Sequence, residues 1–291
     1  MRQASDRSRS RPSRSAAGSS AAGDRMVLPA EGAGETQADQ AVNGPVVVLS
    51  YAHSGAEQVQ DIIAGTGLAC TSGTGIIPQC AAAAEAWRQV ENQGDHLMSR
   101  LAVSTVRGLV TAQITVILAT AGKARWCELA TAPPQTLQPF LQTFPHAAVL
   151  CVHRRCPDVI ATTMRASPWG LRNPAFTPYL LAYPGNNVAA IAAYWVNQTD
   201  ELLAFERANP ARTRRIRLED ITARPATVLT TVRDWLKLNS ALPRGLLEPS
   251  SPELETQQPQ SPAEIPAEMI PPALHQHINR LHTELKYLSA G

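Results

Sequence analysis

Two turns in this chain carry side chains able to hold an anion. The first is Ser50-Tyr51-Ala52-His53-Ser54-Gly55, which follows the apolar run Val46 to Leu49 and precedes a helical pattern with Val59, Ile62 and Ile63 on one side. A strand-loop-helix unit of this kind aims the first N–H groups of the helix into the loop, where the helix dipole and the small side chains of Ser54 and Gly55 favour a phosphate or sulfate. The second turn ends the run Ala148 to Val152 and carries Arg154, with Thr162 eight residues further on, two turns into the next helix. A guanidinium there can grip a phosphate through two charge-assisted hydrogen bonds while the threonine hydroxyl faces the same group. The same spacing also suits a surface salt bridge and a packed threonine, so it leaves both readings open.

The elements that position these turns follow from the hydrophobic pattern. Val46–Leu49, Trp126–Leu129 and Ala148–Val152 read as buried strands, with helices expected near 81–91, 97–121 and 188–209. Pro133-Pro134 and Pro157-Asp158 open two more helices. Strands alternating with helices predict a parallel sheet covered on both faces, with ligands at the carboxyl ends of its strands. Residues 65–75, rich in Gly and Thr, read as a connection. Residues 1–44 read as a disordered tail, 45–243 as an α/β domain, 244–271 as a Pro-rich linker and 272–291 as an amphipathic helix. In that helix Leu274, Ile278, Leu281, Leu285 and Leu288 form one seam, able to pack on the domain or on a second copy, which makes a homodimer possible. His275, His277 and His282 on the same helix read as solvated, and no metal site is expected.

Composition narrows the function classes. A formal net charge of +2 demands neither nucleic acid nor an anionic membrane as partner. No run is expected to reach the roughly 20 apolar residues of a membrane span. Five cysteines without a close pair of metal-ligand spacing point to reduced thiols and a cytoplasmic setting. The Gly-x-x-x-x-Gly-Lys-Ser/Thr loop of nucleoside triphosphatases is absent.

Three stretches together resemble the sulfotransferases that use 3′-phosphoadenylyl sulfate. Ala52-His53-Ser54-Gly55-Ala56 resembles that family's 5′-phosphosulfate loop. The segment from Phe144 through Arg154 to Thr162 resembles its 3′-phosphate segment. Arg217-Leu218-Glu219-Asp220-Ile221, followed by the helix through Val232, Trp235 and Leu236, resembles its closing strand and the helix after it. The resemblance implies a three-layer α/β/α fold with a central, mostly parallel sheet of P-loop-like type. It also implies a bacterial enzyme of secondary metabolism that moves a sulfuryl group from 3′-phosphoadenylyl sulfate to a hydroxyl or amine of a small-molecule acceptor, without a metal. By the same resemblance, His53, Ser54, Gly55, Ala56, Arg154 and Thr162 bind the co-substrate. A non-catalytic nucleotide-binding protein of this fold is the alternative.

The departures from the family pattern bear on catalysis. His53 stands where a Lys or Arg is usual, and Ala56 and Glu57 stand where hydroxyl residues are usual. Leu129-Ala130-Thr131 lacks the lysine often found near the second strand, and Ser72 and Gly73 occupy the place of a glutamate found in some branches. Sulfuryl transfer needs a general base, for which His53, Glu57 and Glu128 are the candidates. Glu128 is equally suited to a structural salt bridge, and Glu57 to favouring the helix dipole. In the loop 167–187, Trp169, Phe176, Tyr179 and Tyr183 are able either to line an acceptor pocket or to pin the loop to the core.

Overall fold

The computed structural model describes residues 44–91, 96–167, 170–238 and 267–287. The expected N-terminal tail, nearly all of the linker, Trp169 and Leu288 lie outside the described residues.

Strand β1 (Val46–Ser50) is buried along its whole length, so its β-branched run packs on both faces of a sheet. It pairs in parallel with β3 (Trp126–Thr131) on one side and β4 (Ala148–His153) on the other. With β2 (Ala69–Ser72) and β5 (Thr213–Arg217) the order is β2-β3-β1-β4-β5, all parallel. Chain direction across the sheet reverses about β1, which places a crevice at the carboxyl ends of β1 and its neighbours.

Val46 and Val48 face a layer made by α1 (Ala56–Ala64), α8 (Leu218–Ala223) and α9 (Pro225–Leu236). Val47 and Leu49 face the other layer. That layer contains α2 (Ile76–Glu91), α3 (His96–Ala121), α4 (Gln138–Thr143), α5 (Cys156–Ala166), α7 (Asn187–Ala208) and α10 (Pro272–Glu284). The arrangement is the expected three-layer α/β/α sandwich.

Three readings of the sequence are corrected here. The Gly- and Thr-rich stretch 65–75 contains an edge strand, β2, whose one strand partner among the described residues is β3. The closing strand ends at Arg217, and Leu218-Glu219-Asp220-Ile221 begins a helix. The stretch Leu101–Ala121 of α3 is, by length and composition, apolar enough to cross a membrane. The expectation looked for an unbroken apolar run; the Thr, Gly and Gln residues among the aliphatics of α3 interrupt such a run but, being uncharged, leave its mean hydropathy high. Helix α3 also has Ala102, Val110, Ile114 and Leu118 buried in the core, as one layer of the domain requires.

The C-terminal helix α10 lies along α7, with Leu274, Ile278, Leu281 and Leu285 buried. Its seam is therefore covered within the protomer. Between α5 and α7 lie a 3₁₀ turn (Pro174–Phe176) and α6 (Thr177–Ala182), both packed on α7.

Candidate functional site

Both special turns meet at the carboxyl ends of β1 and β4. After β1 the chain makes a tight turn in which Ser54 N–H donates to the Tyr51 carbonyl at 3.2 Å. His53 has φ +63° and Gly55 φ +79°, both in the left-handed region. For histidine this conformation is uncommon and is held by the surroundings. Arg154 supplies part of that hold, since its Nη1 donates to the His53 carbonyl at 3.0 Å. At Gly55 the close approach of α8 demands glycine, because a Cβ would lie 2.4 Å from Leu218 Cδ2.

The turn is anchored to the body of the sheet by residues that sequence reasoning assigned no role at the site. Arg154 N–H donates to Tyr51 Oη at 3.2 Å, and Trp195 Nε1 donates to the Arg154 carbonyl at 2.8 Å. Ala52 N–H donates to Tyr194 Oη at 3.0 Å. Burial pushes the Tyr51 phenol well above its ordinary range, so it remains a neutral hydrogen-bonding group. These contacts join positions 41 to 142 residues apart, and no local pattern signals them.

Arg154 is only 9% exposed, and among the described residues it has no carboxylate within salt-bridge distance. Its neighbour Arg155 is different, pairing through Nε with Asp158 at 2.7 Å. Burial holds the Arg154 guanidinium below its usual value, partly offset by the more distant Asp158 and Glu219. It remains charged, because arginine stays protonated under all ordinary conditions. A buried cation without a direct ion pair is costly to a fold unless an anion is to be bound.

Hydroxyls with the same need for a partner are found in the same segments. The Oγ atoms of Ser50 and Ser54 and the Oγ1 of Thr162 are buried and accept or donate no hydrogen bond among the described residues. Thr162 is the seventh residue of α5, about 9 Å along its axis from the N-terminus. Gly55 offers α1 no capping side chain, which leaves the first-turn N–H groups of Ala56 and Glu57 to the loop. Donors, orphaned hydroxyls and a guanidinium without an ion pair thus suit an anionic ligand.

The candidate bases differ in their availability. Glu128 is buried, with three donors on its carboxylate: Thr71 Oγ1 at 2.5 Å, Thr74 Oγ1 at 2.9 Å and Thr74 N–H at 3.0 Å. It ties β3 to β2 and to the turn before α2, and although β3 adjoins β1, Glu128 is level with Val47, six residues before His53 in the chain. Glu57 is exposed in the first turn of α1. His53 is half-buried, its ring stacked over Phe176 with centroids 6.3 Å apart. Burial lowers its pKa below the ordinary 6.5, and Arg154 lowers it further while Glu57 opposes. Without a bound anion His53 is therefore neutral at pH 7.

Phe176 is buried and also packs on Tyr194, with centroids 4.5 Å apart, and Tyr179 packs on Tyr194 at 5.6 Å. These aromatics pin the 170–186 loop over the site. The C-terminal helix closes the other side. His282 is buried and accepts from Cys156 N–H at 3.2 Å, and Tyr287 Oη donates to Glu219 at 2.9 Å. Glu219 in turn accepts from Arg155 N–H at 2.8 Å. The expectation that all three histidines of this helix are solvated fails at His282, which lies on the seam beside Leu281.

A family model described as the sulfotransferase family matches residues 45–241. The chain belongs to the sulfotransferase family. Among solved structures, the sulfotransferase domain from the curacin biosynthetic pathway aligns with a TM-score of 0.56 and 16% identity, over 84% of this chain and 98% of that one. The sulfotransferase domain from the Synechococcus PCC 7002 olefin synthase aligns with a TM-score of 0.55 and 19% identity, over 84% and 95%. At these identities the likeness concerns the fold, which is the P-loop-like α/β fold of sulfotransferases. Among curated proteins none matches the chain by sequence.

Proposed function

We propose that this sulfotransferase-family chain transfers a sulfuryl group from 3′-phosphoadenylyl sulfate to a hydroxyl or amine of a small molecule. The observation that carries the reading is Arg154, a buried guanidinium with no carboxylate partner among the described residues, at the carboxyl end of β4. On this reading Arg154 and Thr162 hold the 3′-phosphate. Ser54, the N–H groups of Ala56 and Glu57 and the helix dipole of α1 hold the 5′-phosphate. Bound there, the co-substrate supplies an electrophilic sulfur on a phosphate leaving group. His53, neutral in the free protein, takes the proton from the acceptor as its oxygen or nitrogen attacks. Phe176 keeps the imidazole facing the loop. The five free thiols fit a reducing, cytoplasmic setting.

A second reading, a nucleotide-binding protein without turnover, is favoured by Glu128, whose carboxylate is engaged by three donors. Both readings require the nucleotide site, so binding is tested first. Calorimetry with adenosine 3′,5′-bisphosphate should give a tenfold to hundredfold weaker affinity for Arg154→Ala, for a lost charge-assisted contact of about 1.5 to 3 kcal/mol. Thr162→Val, which leaves the Arg154–His53 contact in place, should weaken binding by a smaller factor. Absence of binding in the wild type refutes both readings. Release of the bisphosphate from the donor across an acceptor panel, abolished in His53→Ala, then separates transferase from binding protein.

A further inference from the structure

Two of the five cysteines face each other across the sheet, where sulfuryl transfer gives them no task. Strands β2 and β3 pair in parallel with Cys70 directly opposite Cys127. Residues so paired sit about 4.8 Å apart at their Cα atoms, inside the range of about 4.4 to 6.8 Å that a disulfide spans. Both side chains lie on the sheet face covered by α1, in the same core as Val46, Val59 and Ile63. The two thiols are hydrogen-bonded to each other. Cys80, Cys151 and Cys156 belong to the core on the opposite face, with the sheet between.

The register of the pair is held by its neighbours. Thr71 Oγ1 donates to Glu128 at 2.5 Å and accepts from Trp126 Nε1 at 2.7 Å, and the Thr71 carbonyl accepts from Gln60 of α1 at 2.6 Å. Because β2 is an edge strand, these bonds and the ladder to β3 fix Cys70 against Cys127. The pair is also asymmetric. Cys70 is half-buried, whereas Cys127 is fully buried. The hydrogen bond with Cys127 lowers the Cys70 pKa, aided by Lys123 and opposed by burial and Asp61. That same bond, with burial, raises the pKa of Cys127. Thiolate character and access therefore coincide at Cys70, with a second sulfur beside it. Elsewhere burial pushes the Cys80 thiol up to about 11 and those of Cys151 and Cys156 well above the ordinary range.

We propose that Cys70 and Cys127 form a redox-active dithiol, which a peroxide converts to a disulfide between β2 and β3 and a dithiol reductant reopens. With hydrogen peroxide, the Cys70 thiolate attacks one oxygen, the O–O bond breaks, and the hydroxide that leaves takes up the proton lost from Cys70 to become water. The Cys127 sulfur then attacks the sulfenic sulfur of Cys70. The S–O bond breaks as the S–S bond forms, and a second water leaves with the Cys127 proton. Two electrons pass from the sulfurs to the peroxide. Reduction runs through two thiol–disulfide exchanges that leave the reductant as its own disulfide. The bridge pins the edge strand to the sheet beside α1, through the residue that precedes the Gln60 contact.

Peptide mass mapping of the full, folded chain after hydrogen peroxide, without and with dithiothreitol, tests this. Wild type should lose two hydrogens per molecule, with the Cys70 and Cys127 peptides joined, and dithiothreitol should separate them. Cys70→Ser, at a half-buried position, should abolish the cross-link. Cys127→Ser should leave a Cys70 sulfenic acid that dimedone captures. Peptides that stay separate in oxidised wild type overturn the proposal. So does a bridge to Cys80, Cys151 or Cys156, a Cys70 that advances to sulfinic acid beside an unchanged Cys127, or a bridge that forms only once the chain is unfolded in urea. Each of these is read on wild type, so a variant that fails to fold does not shelter the proposal.

Discussion

The stability of the domain in mild acid should depend on one histidine. His282 packs edge-on against Trp195 and Tyr287, with centroids 5.2 and 5.5 Å away, and its Nε2 accepts the Cys156 N–H. That bond requires a neutral ring with its proton on the other nitrogen. Burial pushes the pKa from 6.5 down to about 4, Arg155 and His275 push in the same direction, and Asp158 opposes them. A folded-state pKa below the unfolded one means that the unfolded chain binds the extra proton between the two values. The contribution is thus complete above pH 6.5 and is withdrawn as pH falls toward 4. At about 1.4 kcal/mol per pH unit, the gap between 6.5 and about 4 amounts to at most about 3.5 kcal/mol. For a domain of this size that corresponds to at most roughly 7 to 14 °C in melting temperature. His282→Gln retains an acceptor without titrating in this range, so its melting temperature should fall less steeply than wild type between pH 6.5 and 4. Parallel melting curves for the two proteins across that window would refute the assignment of His282 as the titrating group.

Two further substitutions test how the site is held. Gly55→Ala places a methyl carbon against Leu218 and forces alanine to φ +79°, so it should destabilise the fold by about 2 kcal/mol and weaken bisphosphate binding, read by thermal melts and calorimetry. Glu128→Gln leaves donors facing an amide in place of a carboxylate, and should lower stability by about 1 to 3 kcal/mol with bisphosphate affinity unchanged. An unchanged melt with turnover lost a hundredfold would instead make Glu128 the base.

The parts of the fold that were legible in the sequence are those whose burial is written into every residue. Val46 to Ser50 is such a run, buried on both faces, and the turns that follow β1 and β4 were located by where their apolar runs stop. Strand β2 was not legible, because Ala69-Cys70-Thr71-Ser72 has weak strand propensity and exists through pairing with β3. The α10 periodicity identified a buried seam, but the role of His282 depends on Cys156, 126 residues away in the chain. At the site, residue types marked His53, Ser54, Gly55 and Arg154. The absence of a counter-charge for Arg154 and the three donors around Glu128 are properties of tertiary packing, and they decide which residues are free to act.

Two helix N-termini, of α1 and α5, lie at the same edge of the sheet, and the protein treats them differently. At α5, Arg155 N–H is taken by Glu219 and Cys156 N–H by His282, so side chains from α8 and α10 satisfy groups that would otherwise attract an anion. At α1, the entry residue is a glycine without a capping side chain, preceded by Ser54 with an orphaned hydroxyl. On the proposed reading, closing one terminus and leaving the other open directs the 5′-phosphate toward the His53 loop, while Arg154 keeps its charge available for the 3′-phosphate. Helix α10 therefore belongs to the site's architecture. Without His282 the α5 terminus would regain an unsatisfied N–H, so on the proposed reading the C-terminal segment helps to set where the co-substrate's phosphates sit as well as contributing to the core.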